Sequence, residues 1–221
     1  MSDLLLAEPQ VYGDLLAAGP DPTFGALLTE LEAHVPRKRA EVMAQLRASK
    51  RRVALLAALA DLAELWQVEE VTRALTQFAD RAVQCALESA LFEAIQRGDL
   101  DLELDGGTRL QERSGLFVIG MGKLGAFELN YSSDIDVIVL FDPERFRTRG
   151  REAPMALAVR LTRALVYLLE HRNRDGYVFR TDLRLRPHPP GHPLALAAED
   201  AEQYYERHGQ NWERAALIKA R

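Results

Sequence analysis

The stretch GMGKLGAFELNYSSDIDVIVLFD, residues 120–142, decides how the rest of the chain is read. It holds a glycine-rich turn, Gly120-Met121-Gly122-Lys123-Leu124-Gly125, a polar loop closing on Ser132-Ser133, and an apolar run from Ile135 to Phe141 entered through Asp134 and Asp136. A β-branched and aromatic run bounded by polar turns predicts a strand. Residues i and i+2 of a strand share a face, so the two carboxylates can converge on a hard cation, for which magnesium is the natural guest. An isolated D-x-D is more often only the polar entry to a strand; here the flanking motifs ask for more.

Working outward, a shorter apolar run, Leu116 to Ile119, predicts a strand just before the glycine turn. Downstream, 155–170 carries Leu157, Leu161, Leu165, Leu168 and Leu169 at helical spacing, an amphipathic helix that covers a sheet face. Tyr177 to Leu185 predicts a third strand, giving the order strand, short helix, strand, helix, strand. Alternation on it puts Phe179, Leu183 and Leu185 on one face, and Arg180, Asp182, Arg184 and Arg186 on the other. A carboxylate among arginines suits a phosphate-handling metal site: the guanidinium groups neutralise phosphate charge while Asp182 completes the coordination or takes a proton. A strand with a solvent-facing side would alternate in the same way.

Upstream of residue 98 the chain reads as helical. Residues 24–33 and 37–59 are rich in Ala, Leu, Glu and Arg, with Pro36 between them as a break, and 68–97 keeps one apolar side up to a stop at Arg97-Gly98. Gly13, Gly19, Pro20 and Pro22 suggest a loosely held lead-in with at most a short helix. Beyond the third strand, Pro187, Pro189, Pro190 and Pro193 make a stiff loop, and 199–221 reads as one more helix without a terminator, as if cut from something longer. The expected organisation is a helical lead-in over 1–66 and a domain over 67–221 that is truncated at its C-terminal side.

Composition narrows the function classes. With 28 Lys and Arg against 33 Asp and Glu, the net charge of −5 argues against general binding to nucleic-acid backbones, whose affinity comes from basic side chains displacing counterions. No apolar run is long enough to predict a membrane helix, and no basic segment precedes an apolar one at Met1-Ser2-Asp3, so neither membrane nor export is expected. A single cysteine, Cys85, excludes an intrachain disulfide framework and reads as a small apolar filler; a reducing compartment, the cytoplasm, fits. His171, His188 and His192 are too scattered to suggest a metal site. The arginines at 145, 147, 149 and 151 read as a solvated charge run, and Tyr204, Tyr205 and Trp212 as helix packing.

The glycine turn also matches the G-x-G-x-x-G dinucleotide fingerprint. A Rossmann unit needs a full crossover helix before its next strand, and Gly120 to Asp134 leaves little room for one.

A glycine turn, an acidic pair on the next strand and a third carboxylate on a later strand together resemble the nucleotidyltransferase superfamily with a DNA polymerase β type of palm. In that superfamily a small-residue turn precedes the acidic pair by about a dozen residues, and its backbone amides hold the triphosphate. Lys123 departs from the pattern, standing where Ser or Gly is usual. GMGKLGAFELNYSSDIDVIVLFD (120–142), RTDLRLRP (180–187) and YYERHGQNWERAALIKAR (204–221) look like the bifunctional glutamine synthetase adenylyltransferases, long proteins with two related nucleotidyltransferase domains. Asn130, Trp212-Glu213-Arg214 and Lys219-Ala220-Arg221 resemble the first, amino-terminal copy, which removes AMP from a glutamine synthetase tyrosine.

The resemblance implies an α+β fold with a small mixed sheet preceded and followed by helices. It implies Asp134, Asp136 and Asp182 as catalytic magnesium ligands, with Gly120, Gly122, Lys123 and Gly125 shaping the phosphate turn and Ser132 and Ser133 lining it. Arg184 and Arg186 join the phosphate-binding set from the polar face of their strand. The implied partners are glutamine synthetase, the uridylylated PII signal protein, phosphate and ADP or ATP. Adenylyl transfer from ATP and a regulatory PII-binding module with little activity stay open as alternatives.

Overall fold

In the computed structural model, which describes residues 6–33, 36, 38–104, 109–150, 152–187 and 193–221, helices come first and a small sheet follows. Among the described residues the first long helices are α1 (Pro9–Ala18), α2 (Pro20–Ala33), α3 (Arg39–Leu62) and α4 (Val68–Gln96). The expected loose lead-in is therefore helical. Pro9 and Pro20 each take a first-turn position, where the missing N–H costs nothing, and Val11, Leu15 and Phe24 anchor these helices in the core. Pro36 lies between α2 and α3 as expected.

The helix α4 starts with a capping box, Gln67 N–H donating to Glu70 Oε2 at 2.7 Å, and stops where predicted. Gly98 takes φ +74°, and Asp99 N–H returns to the Ala94 carbonyl at 2.9 Å. Cys85 is buried in α4 as apolar filler, and burial, then Glu88, push its thiol up to about 12.

The rest comprises α5 (Leu110–Ser114), β1 (Leu116–Gly120), α6 (Gly122–Gly125), β2 (Ile135–Phe141), α7 (Pro154–Glu170), β3 (Thr181–Asp182), β4 (Ala195–Ala197), α8 (Ala198–Arg207) and α9 (Asn211–Leu217). The sheet is mixed: β1 runs antiparallel to β2, whereas β3 and β4 run parallel to it along the opposite edge. β2 is the central strand, and all its residues but Asp136 are buried. Helix α7 lowers Leu157, Leu161, Leu165 and Leu168 toward the core, and α4 packs on both α3 and α7. One hydrophobic cluster runs through helices and sheet, from Val11 to Ala195.

Two expectations change here. Only Thr181 and Asp182 of the predicted third strand pair with β2, because the chain turns straight afterwards, with Arg186 N–H reaching the Leu183 carbonyl at 3.4 Å. The final helix is broken at Gly209, which packs so tightly on α8 that a Cβ there would lie 2.7 Å from the Tyr205 carbonyl oxygen. A second capping box, Gln210 N–H to Glu213 at 2.7 Å, restarts the chain as α9. Beyond Leu217 it is no longer helical, and Trp212, expected to pack, is 55% exposed.

Among the described residues, no helix is long and apolar enough to cross a membrane. His188, His192, Arg151, Pro189 and Pro190 lie outside the described residues. Arg145, Arg147 and Arg149 are tied down, to the Glu112 carbonyl, the Glu144 carbonyl and Asp101 respectively, rather than simply solvated.

Candidate active site

The glycine turn grows from the end of β1. Met121 N–H donates to the Asp136 carbonyl at 2.8 Å, which fixes the turn to β2, and Gly122 takes φ +52° to enter α6. A Cβ on Gly122 would lie 2.9 Å from Asp136 Oδ2, so the missing side chain is the space the carboxylate uses. The amides of Gly122, Lys123 and Leu124 open the helical turn and have no acceptor within it. Lys123 is exposed beside them.

The other side of the turn is closed by the end of the chain. Gly120 and Arg221 exchange both backbone hydrogen bonds, at 2.8 and 3.0 Å, and a Cβ on Gly125 would lie 1.9 Å from the Lys219 carbonyl oxygen. The Arg221 guanidinium donates to Asp80 at 2.9 Å and sits 4.0 Å over the Phe127 ring. Lys219 pairs with Glu128 at 2.8 Å. Gly125 is thus required by this backbone approach, whereas a Cβ on Gly120 would meet the Leu124 side chain at 3.1 Å and the Arg221 carbonyl oxygen only at 3.7 Å.

The polar loop is shaped by Asn130, whose Oδ1 accepts from Ser133 Oγ at 2.6 Å and from the Ser132 N–H at 3.3 Å. This Asx turn presents Ser132 and Ser133 just ahead of Asp134. The parallel register then sets Asp136 directly beside Asp182. Burial, then the Asp182 and Asp134 charges, raise the Asp136 carboxyl above the usual carboxylate range, against Arg184 and Lys123. Asp136 therefore feels both Asp134, two residues before it, and Asp182, which is distant in sequence.

Two arginines answer that negative charge. Arg180 donates through Nε to Asp134, through Nη2 to the Ser132 carbonyl at 2.9 Å and through Nη1 to Tyr177 Oη at 3.2 Å. Arg184 grips Asp182 with its backbone N–H at 2.8 Å and with Nε and Nη2, holding the Asp182 carboxyl below its ordinary value. Arg186 is elsewhere: 8% exposed, it donates to the Pro193 and Leu183 carbonyls at 3.0 and 2.6 Å and ties the chain beyond Asp182. The expected shared polar face thus keeps Arg180, Asp182 and Arg184 and loses Arg186, because β3 ends before the alternation reaches it.

Sequence reasoning missed the support for Arg180. Helix α3 sends Lys50 to the Val178 carbonyl, with its ammonium 4.7 and 4.9 Å from the Tyr177 and Phe179 ring centres, and Arg47 to the carbonyls of Gly176 and His171. Burial, then the Arg180 charge, lower Lys50 to about 8. Only the aromatic residues on either side of Val178 hint at this contact in the sequence, since its partner comes from another helix.

An all-oxygen set of Asp134, Asp136 and Asp182, with the Asp136 carboxylate seated against Gly122, suits a hard divalent cation in its chemistry. As the side chains stand, no three His, Cys, Asp or Glu groups among the described residues are gathered closely enough to hold a metal ion. Asp134 and Asp182 are turned to their arginines instead.

The structure defines an α+β protein with a small mixed sheet, in which Asp136 and Asp182 stand side by side on parallel strands next to a glycine turn. The model of the glutamate-ammonia ligase adenylyltransferase family matches residues 4–221, and the chain belongs to that family. It is 46% identical over 221 residues to the bifunctional glutamine synthetase adenylyltransferase/adenylyl-removing enzyme of Rhodopseudomonas palustris (strain HaA2), a match covering 99% of this chain and 22% of that protein. The protein of the same description from Rhizobium meliloti (strain 1021) is 50% identical over 182 residues, 82% of this chain and 18% of the relative. The chain thus spans about a fifth of the length of the curated relatives it matches.

Proposed function

We propose that this chain carries a nucleotidyltransferase palm of the DNA polymerase β type and that its reaction is adenylyl removal from glutamine synthetase. An oxygen of inorganic phosphate attacks the AMP phosphorus of the adenylylated tyrosine, the bond from phosphorus to the phenolic oxygen breaks, and ADP and the free tyrosine leave. The observation that carries the reading is the register of Asp136 beside Asp182, with Gly122 leaving room for the Asp136 carboxylate.

Asp134, Asp136 and Asp182 would hold magnesium, which supplies charge neutralisation and alignment for in-line phosphoryl transfer. The chain's own residues do the rest. The amides that open α6 and the Lys123 ammonium receive phosphate oxygens, Ser132 and Ser133 line the pocket, and Arg184 reaches it from an exposed position. Gly120 and Gly125 shape the turn. Arg186 serves this site by fixing the chain after Asp182. Regulation by the uridylylated PII signal protein and location in the cytoplasm belong to the same proposal, as does a first, amino-terminal position in the longer protein, with residues 67–221 as the catalytic domain and 1–66 as its helical lead-in.

The test is phosphate-dependent ADP release from adenylylated glutamine synthetase by the full-length protein, with Asp134→Asn and Asp136→Asn beside it. Loss of release in both variants, with folding retained, is the expected result. Near wild-type release in both would remove the assignment. Label transfer from ATP onto the synthetase, lost in the same variants and without phosphate-dependent release, would reverse the direction. Binding to uridylylated PII with neither activity would leave a regulatory module.

A further inference from the structure

The Asp182 carboxylate is engaged on both oxygens by one arginine. Arg184 spends its backbone N–H, Nε and Nη2 on it, at 2.8, 2.9 and 2.5 Å, with Nε also 3.1 Å from the second oxygen. A carboxylate offers about four lone-pair sites, so these three donors take up most of it. Asp134 is engaged more lightly, by a single bond from Arg180 Nε to Oδ1, while the other two nitrogens of that guanidinium hold the Ser132 carbonyl and Tyr177. Between the two pairs, Asp136 has no such partner, and its carboxyl is raised by burial and by its two neighbours. A guanidinium thus sits on two of the three carboxylates that a divalent cation would need, and the third, Asp136, is left without one.

Neither arginine is locked in place. The Arg184 side chain is 86% exposed and that of Arg180 55%. Exposed pairs of this kind are weak, which makes exchange for a divalent ion feasible. Arg180 also has the Lys50 charge behind it, so a further positive charge in front favours its departure. Both groups would then be free beside the glycine turn, and a guanidinium fork fits phosphate oxygens as well as it fits a carboxylate.

We propose that Arg180 and Arg184 occupy the cation's places on Asp134 and Asp182 in the metal-free protein and pass to the phosphate oxygens of the substrate when the cation loads. The inference rests on the carboxylate-held cation proposed above. It makes the two arginines competitors of the cation and positioning residues for phosphate, a coupling that is reciprocal between the two ligands.

The experiment titrates the full-length protein with Mn2+, followed by electron paramagnetic resonance, and then the Mn2+-loaded protein with inorganic phosphate by calorimetry. Without phosphate, Arg180→Gln and Arg184→Gln each tighten Mn2+ binding about two- to fivefold, the size of an exposed ion pair removed. With Mn2+ bound, the double variant loses about tenfold or more in phosphate affinity, as expected for lost charge-assisted hydrogen bonds. Lys123→Gln, which removes a nearby charge that pairs with no carboxylate, gives the baseline for general electrostatics. Unchanged or weaker Mn2+ binding in both arginine variants overturns the exchange, and so does a gain no larger than that of Lys123→Gln. If Asp136→Asn leaves Mn2+ binding untouched, the cation site itself is wrong and both readings fall. If Asp136→Asn abolishes binding while the arginine variants match wild type, only the exchange falls.

Discussion

Gly122 and Asp136 are fitted to each other: the carboxylate oxygen Oδ2 lies 2.9 Å from where a Cβ of residue 122 would stand, and the glycine has φ +52°. The atom in the way is the tip of a side chain, so Gly122→Ala displaces the carboxylate rather than the backbone. The left-handed φ adds about 1–2 kcal/mol of strain. The expected outcome is a melting temperature lower by about 3–6 °C, with Mn2+ affinity reduced well beyond what that loss explains. Calorimetry and metal titration of the same sample check it, and an unaltered Mn2+ affinity would separate the turn from the acid site.

At Gly125 the obstruction is backbone, not side chain. A Cβ would stand 1.9 Å from the Lys219 carbonyl oxygen and 2.6 Å from that of Gly120, and neither can swing aside. Gly125→Ala is expected to unseat the segment after Leu217 and to break the paired bonds between Gly120 and Arg221. Hydrogen exchange reads this directly: the Arg221 amide, bonded to the Gly120 carbonyl at 3.0 Å, should exchange about tenfold faster or more. Unchanged protection would mean that the turn tolerates a side chain.

Phe78 ties the longest helix to the segment that carries Asp182. It is 2% exposed, and its ring lies 5.8 Å from that of Phe179. Phe78→Ala should cost about 3–5 kcal/mol through lost burial and the cavity left behind, read as a lower urea midpoint at an unchanged slope.

Lys50 gives stability a pH dependence of known sign. Burial, then Arg180, lower its ammonium from 10.5 to about 8. Between those values the unfolded chain binds more protons than the folded one, so this residue's contribution rises with pH from about 8 toward 10.5 and is lost as pH falls through 8. Melting temperatures of wild type and Lys50→Met, compared between pH 7.5 and 10, should show the wild type gaining on the variant as pH increases. A constant difference would contradict the burial of this charge.

How far the sequence carried these conclusions depended on the range of the interactions. β2 was legible because an apolar run between polar turns has one reading, and the stop of α4 because Gly98 has one conformational use there. The Asp134 and Asp136 pair was legible as spacing, and the register adds that Asp182 stands beside Asp136. β3 was overestimated because alternation persists in the letters after the chain has turned away, and so Arg186 was assigned to a face from which the Leu183 and Pro193 carbonyls remove it. Lys50 and the long-range bonds of Arg47 were invisible, since these acceptors lie more than 120 residues further along the chain. The pairing of Arg221 with Gly120 was hidden for the same reason: a helical-looking tail gave no sign that Gly209 would interrupt it.

The most direct measurement is anomalous diffraction from crystals of the protein grown with Mn2+ and ADP. The account predicts a manganese peak coordinated by Asp134, Asp136 and Asp182, with the nucleotide phosphates over the Gly122 turn. Manganese bound elsewhere, with Arg180 and Arg184 still seated on their carboxylates beneath the nucleotide, would contradict it.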